Sequence, residues 1–295
     1  MSLIVSSTSN LQNSFAPFDT ALQAAFDLNV NQAIAEDVGH GDHTGLLVPE
    51  NEFVKARVVV RESAVLCGAP WFEAIMARLD PRLRVTWRYA EGDLMQADSE
   101  VCLIEGPARA LLTAERGALN FLQLLSGVAS ATRRYVALIA GTSARILDTR
   151  KTLPGLRLAQ KYAVRVGGGL NQRLALYDGI LIKENHIAAA GGITAALQAA
   201  SKLNAGVSVQ VEVENLDELR EALAAGANSI LLDNFSLEQM REAVAITAGA
   251  AVLEASGGIN RETVRGIAET GVDRISIGSL TKDIQAVDFS LRVID

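Results

Sequence analysis

From residue 145 to residue 281 the chain keeps one rhythm, and that rhythm restricts its architecture more than any other feature. Short apolar runs (RILDT, GILIK, VQVEVE, SILLD, AVLEAS and RISIG) alternate with helical stretches that include LDELREALAAG, LEQMREAVAITAG and RETVRGIAETG. From VEVE onward the runs recur roughly every 20–24 residues, and each intervening stretch ends near a glycine, which readily takes the left-handed cap of a helix. Strands separated by helices imply a parallel sheet or a barrel. The recurrence is architectural; no sequence is repeated.

Polar residues stand at the end of each run. Asp148, Thr149, Arg150 and Lys151 come after the first, and Lys183, Glu184 and Asn185 after the second. Glu212 and Glu214 lie within the third, Asp233 and Asn234 close the fourth, Ser256, Gly257 and Gly258 the fifth, and Gly278 and Ser279 the last. In a βα barrel the C-terminal strand ends converge on one rim, where active sites are built. These groups are therefore expected at a single mouth.

Charge is distributed in the same sense. The chain is acidic, at -7, which argues against non-specific nucleic-acid binding. Between Asp148 and His186, however, seven Lys or Arg face three acids, so this segment carries +4 and the remainder -11. Several cations on one rim demand anions, because an uncompensated buried charge costs several kcal/mol. A small anionic ligand is one answer. Glu212 and Asp233 could pair with the cations, or hold a magnesium ion that takes its other oxygens from phosphate and water. The glycines at 256–258 and 278–279 stand where such barrels often bind phosphate, although glycines after strands are also common turn residues.

The first third groups its elements differently. A helical pattern spans residues 18–36, succeeded by strand-like KARVVVRE and AVLCG, a short helix after Pro70, and LRVTWRY and EVCLIEG around the turn EGD. This is an α+β grouping. A long amphipathic run from Leu111 to Ala140, one helix or two joined near Gly127, marks the domain boundary. At 295 residues, one large domain or a barrel with a smaller companion fits the length.

Other chemistries find little footing. Cys67 and Cys102 are far apart, which points to a reducing compartment rather than a disulfide framework. The opening MSLIVSSTSNLQNSFAPF has neither a basic nor a sustained apolar region, and the uncharged run at residues 185–201 falls short of a membrane span of about 20 apolar residues. A cytoplasmic protein is expected. Gly167–Gly169 reads as a helix terminator, and no Walker or His-Glu-x-x-His motif occurs. His40 and His43 lack a third clear metal ligand, His186 sits beside the rim, and Lys183 could instead be a desolvated Schiff-base amine.

Taken together, ERGALNFLQLLSG (115–127), LDTRKTLPGLRLAQKYAVRVGGGLNQR (147–173), LIKENHI (181–187), VEVENL (211–216), ILLDNF (230–235), SGGI (256–259) and GVDRISIGSLT (271–281) resemble the quinolinate phosphoribosyltransferase family, with EDVGHGDHT (36–44) in the expected order. The resemblance implies an α/β protein: an N-terminal α/β sandwich over residues 1–115, an incomplete (β/α) barrel over 116–280, and a segment 281–295 returning to the N-terminal domain. It implies conversion of quinolinate and phosphoribosyl pyrophosphate to nicotinate mononucleotide, pyrophosphate and carbon dioxide, with Mg2+ as cofactor. A homodimer is implied too, with Arg116 reaching across its interface.

By the same resemblance, Arg150, Lys151, Arg173 and Lys183 would line the pocket for the quinolinate carboxylates and pyrophosphate. Glu212 and Asp233 would stand on the ribose and metal side, and Ser256, Gly257, Gly258 and Gly278 would hold the 5′-phosphate. Thr149, Arg157, Lys161, Gln172, Ile277 and Ser279 complete the expected substrate-binding set. Lys151, Lys183, Glu212 and Asp233 are the expected catalytic residues. Two positions depart from the family pattern: Gln172 replaces a usual histidine and Gln210 a frequent glutamate, a change that compensates in charge if the two side chains are neighbours. The alternatives are a paralogous pyrophosphorylase-like protein of molybdate-transport context and a Schiff-base lyase using Lys183.

Overall fold

The computed structural model describes residues 10–294, so the first nine residues of the opening stretch and the last residue of the C-terminal segment lie outside the described residues. The chain divides into two compact units. The first comprises the chain up to Ala131, Pro154–Gly167 and the chain from Asp283 on; the second comprises Thr132–Leu153 and Gly168–Lys282.

The first unit begins with α1 (Thr20–Val38), started by Asp19, whose carboxylate accepts the Leu22 N–H. Strands β1 (Phe53–Val60) and β2 (Ala64–Val65) lead to α2 (Ala69–Leu79), which is opened by Gly68 at φ 101° and by a proline in its first turn. Strands β3 (Arg84–Trp87), β4 (Leu94–Met95) and β5 (Glu100–Pro107) then precede α3 (Ala108–Leu138). After β6 (Arg145–Leu147) of the second unit, α4 (Arg157–Val166) belongs to the first.

Helix α3 is one helix. Gly127 lies within it and serves a close approach: a Cβ there would collide with the Gln285 carbonyl. The boundary expected after residue 115 falls inside this helix. Leu111, Ala114, Ala118, Leu119, Leu122 and Leu125 all enter the first core, so a cut at 115 would divide one packed face. Ala159, Tyr162, Ala163, Val164 and Val166 of α4 enter the same core, which is why a segment inside the barrel sequence belongs to the first unit. The sheet, in order β12-β1-β5-β3, is antiparallel and ends on the last strand, β12 (Phe289–Val293), beside β1. Trp71, fully buried, gathers Phe18, Phe26, Phe121 and Tyr162 around it with ring centroids 5.0–6.2 Å away.

The second unit continues with β7 (Gly179–Ile182), α5 (Glu184–Ala190), α6 (Ile193–Leu203), β8 (Ser208–Val213), α7 (Leu216–Ala224), β9 (Ser229–Asp233), α8 (Leu237–Thr247), β10 (Val252–Ser256), α9 (Val264–Ala268), β11 (Arg274–Ser276) and α10 (Ser279–Lys282). All six apolar runs form strands, and they make one all-parallel sheet in the order β6-β11-β10-β9-β8-β7. Helix starts obey local chemistry. Asn215 caps α7 through the Asp217 and Glu218 N–H groups, and Ser236 with Gln239 forms a reciprocal capping box on α8.

Side chains alternate across such a sheet. Ile182, Val211, Val213, Ile230, Leu232, Leu253, Ala255 and Ile275 are buried on one face. The other face is polar: register places Glu212, Leu231, Glu254 and Arg274 side by side on successive strands. No helix among the described residues is long and apolar enough to cross a membrane.

Candidate active site

The polar face ends in a set of charged side chains. Lys183, one residue past β7, lies 3.2 Å from Glu212 on β8. The lysine side chain is 46% exposed and the glutamate 10%, so the pair joins a buried carboxylate to an amine open to solvent. Burial pushes the Glu212 carboxyl up, Lys183 pulls it down, and the negative charges of Asp233 and Glu184 push it up again. Lys183 also holds the first turn of α5, where its backbone N–H donates to His186 Nδ1 at 3.0 Å. His186 is thereby given a role in positioning Lys183.

Among the described residues no group of three or more His, Cys, Asp or Glu side chains could hold a metal, His40 and His43 included. Glu212 and Asp233, at the ends of adjacent strands, make a different donor set. Two hard carboxylates suit a magnesium ion that arrives with phosphate oxygens, not one caged by protein.

Arg173 stands in the loop before β7, its Nη1 donating to the Gly179 carbonyl at 2.8 Å. Burial lowers its guanidinium from the usual range, the charge of Arg150 lowers it further, and Asp178 raises it. The charge of one guanidinium thus acts on the other, and the buried Arg173 Nε has no hydrogen-bond partner among the described residues. Lys151 is fixed from both sides: its N–H donates to Thr149 Oγ1 at 3.0 Å, and its carbonyl accepts from Thr281 Oγ1 at 2.7 Å. A Cβ at residue 278 would lie 3.1 Å from Lys151 Cδ and 3.9 Å from its Nζ, so Gly278 leaves room for the lysine.

At the end of β10 the backbone of Gly257 takes φ 102°, and a Cβ there would press on the Asn234 side chain and stand 3.0 Å from its backbone nitrogen. Asn234 itself has φ 56° and donates from Nδ2 to Asp233 Oδ2 at 2.9 Å. Ser256 accepts the Asn234 N–H on its carbonyl. Ile277 is spent on the sheet: its side chain is buried, and its N–H donates to Leu147 O. The groups offered after β11 begin with Gly278 and Ser279.

Thus Thr149, Arg150, Lys151, Gln172, Arg173, Lys183, Glu212, Asp233, Ser256, Gly257, Gly258 and Gly278 belong to the strand ends or loops of the second unit, and Ser279 opens α10 there. Arg116, Arg157 and Lys161 belong to the first, where Arg116 is exposed on α3 and Lys161 is buried on α4.

Four residues absent from the expected set organise these loops, besides Asn234: Asp148, Asn171, Gln210 and Glu254. Asp148, fully buried, accepts from Asn171 Nδ2 at 2.6 Å and from the Gln172 N–H at 2.9 Å. Gln172 Nε2 donates to Gln210 Oε1 at 2.9 Å, and Gln210 Nε2 donates to Glu254 Oε2 at 3.0 Å. The two unusual glutamines are direct neighbours. Gln210 stands two residues before Glu212 on β8, a spacing that puts both on one face and is the signal in the chain that could have found it.

Relatives place this architecture. Residues 42–126 match the quinolinate phosphoribosyl transferase N-terminal domain and residues 128–292 its C-terminal domain. The chain is 40% identical over 266 residues to a "Probable nicotinate-nucleotide pyrophosphorylase [carboxylating]" of Bacillus subtilis (strain 168), covering 90% of this chain and 92% of that one. It is 40% identical over 283 residues to the "Nicotinate-nucleotide pyrophosphorylase [carboxylating]" of Mycobacterium leprae, covering 92% and 98%. The solved nicotinate-nucleotide pyrophosphorylase of Francisella tularensis superposes with a TM-score of 0.90 at 44% identity, over 96% of this chain and all of that one. Both domain matches, the identity along nearly the whole length and the shared fold lead to one conclusion: the chain belongs to the quinolinate phosphoribosyltransferase family.

Proposed function

We propose that the protein transfers the phosphoribosyl group of phosphoribosyl pyrophosphate to quinolinate, releasing pyrophosphate and carbon dioxide and forming nicotinate mononucleotide, in the cytoplasm, for NAD synthesis. The observation that carries the reading is Arg173, in a loop of the second unit, whose buried Nε has no hydrogen-bond partner among the described residues and whose guanidinium feels the positive charge of Arg150, in an otherwise acidic protein. Quinolinate is a dianion and the sugar donor a polyanion; guanidinium forks suit carboxylates through paired N–H groups, each charge-assisted bond contributing about 1.5–3 kcal/mol.

Arg150 and Arg173 grip the ring carboxylates. Lys151 and Lys183 meet the negative charge that grows on pyrophosphate as it leaves C1, and Glu212 and Asp233 face the ribose, where positive charge develops. Loops at Ser256–Gly258 and Gly278–Ser279 take the 5′-phosphate, with Thr149 completing the contacts and Ile277 supporting the last loop, while Gln172 faces the acceptor. Glu212 and Asp233 would hold magnesium directly or through water, and its charge would then neutralise part of that on the diphosphate. The ring nitrogen captures C1, and the resulting cationic pyridinium stabilises the carbanion left at C2 when carbon dioxide departs, until a proton from solvent completes the product. Arg116 is donated across a homodimer interface. A Schiff-base role for Lys183 is disfavoured by its ion pair and its exposure, since such an amine is activated by desolvation.

The test is turnover of purified protein with quinolinate, phosphoribosyl pyrophosphate and magnesium, measured as nicotinate mononucleotide, with nicotinate as the control acceptor. Product from quinolinate alone is expected. No product from quinolinate, or equal product from nicotinate, refutes the reading.

A further inference from the structure

Three side chains on the polar face form a line: Gln172 in the loop before Arg173, Gln210 on β8 and Glu254 on β10. Gln210 is 7% exposed and Glu254 1%. Each link has a defined sense, since Gln172 Nε2 donates to Gln210 Oε1 and Gln210 Nε2 donates to Glu254 Oε2. A carboxylate accepts hydrogen bonds and cannot donate them, whereas an amide does either depending on which way it is turned. Glu254 therefore dictates that Gln210 presents its nitrogen to β10. Gln210 must then present its oxygen to Gln172, and Gln172 must answer with its nitrogen.

We infer that Gln210 and Glu254 are positioning residues: acting through one another they fix the orientation of the Gln172 amide at the mouth, and so the face that Gln172 shows to the acceptor substrate. The loop around Gln172 is anchored through its backbone and flanking residues: the Gln172 N–H and Asn171 on Asp148, and Arg173 on Gly179. Those bonds set where residue 172 sits. The bond to Gln210 sets how its amide is turned. This inference rests on the proposed reaction for its substrate, but its hydrogen-bond logic can be read without turnover.

Glu254→Gln removes the compulsion while preserving shape, because an amide at 254 can accept or donate. Gln210→Met cuts the line at its middle with little change in volume. Each is expected to raise the KM for quinolinate about tenfold, leaving kcat within about twofold and the KM for phosphoribosyl pyrophosphate unchanged. Gln172→Glu sets two acceptors against each other and is expected to lower Tm. In the double variant Gln172→Glu/Glu254→Gln the line can run backwards, the new amide on β10 donating to Gln210 and Gln210 donating to the new carboxylate in the loop, so at least half of that Tm loss should return.

An unchanged quinolinate KM in both Glu254→Gln and Gln210→Met overturns the inference, as does an equal change for both substrates. So does a double variant no more stable than Gln172→Glu. If the wild-type protein shows no turnover, the proposed reaction fails, and the Tm cycle still decides the relay by itself.

Discussion

Glu91 in the first unit and Glu212 in the second are both buried carboxylates, and their surroundings differ in kind. Glu91 lies under the start of α2, where the Gly68 and Ala69 N–H groups and the Tyr162 hydroxyl donate to it at 2.8–3.2 Å. Burial raises its carboxyl from the usual 4.5 to about 7 against those hydrogen bonds. Glu212 has a lysine at 3.2 Å and other acids nearby. The first carboxylate is satisfied by its own fold. The second shares its surroundings with a lysine and other acids, and the contrast separates a carboxylate satisfied by backbone and hydroxyl donors from one set among charged side chains.

The largest test of that contrast removes the cation. Lys183→Met is expected to lower kcat/KM about 10³-fold, roughly 4 kcal/mol in transition-state stabilisation, with little change in Tm. Because Lys183 holds the Glu212 carboxyl down, its loss should move the acid limb of the pH–rate profile to higher pH. An acid limb that stays in place, or moves to lower pH, would break the comparison on the functional side.

On the structural side the folded protein binds the Glu91 proton more tightly than the unfolded chain does. The resulting stabilisation is fully present below about pH 4.5 and disappears as pH rises through about 7. It amounts to at most about 3 kcal/mol. Glu91→Gln should flatten the fall of stability between pH 5 and pH 7 without changing the pH profile of turnover, as denaturant melts and rate profiles at matched pH would reveal.

A smaller effect is expected at Gly257, where Ala would face both a positive φ and the Asn234 side chain; about 1–3 kcal/mol is the usual scale of such strain. Gly257→Ala should raise the KM for phosphoribosyl pyrophosphate more than that for quinolinate, which steady-state kinetics would separate. The smallest is Gln172→His. An imidazole gains charge near pH 6.5, so the quinolinate KM should fall a few-fold at pH 5.5 and remain level at pH 8. Tighter binding at every pH with Gln210 untouched would mean that the amide pair compensates for nothing.

Much of the second unit is legible in the chain itself. The six apolar runs form β6 to β11, and the residues after them form its rim, because alternation of strand and helix leaves few ways to bury both. The first unit is less legible. The two-residue strands β2 and β4 pair with each other, but only β2 lies within a strand-like run; the two residues of β4 are too short a stretch for periodicity to register. Gly127 leaves room for the backbone of Gln285, 158 positions away, and nothing local announces that approach.

The sequence by itself determined the parallel order of chemistry, with a cation or carboxylate at the end of successive strands, since period and composition are local properties. Only tertiary structure decided which polar residues act together. Asp148 reaches Asn171 across 23 positions, and Gln172 reaches Glu254 through Gln210 across 82. Hydrogen bonds have a reach of about 3 Å in space and none in sequence, so their partners are chosen by how the strands are laid side by side.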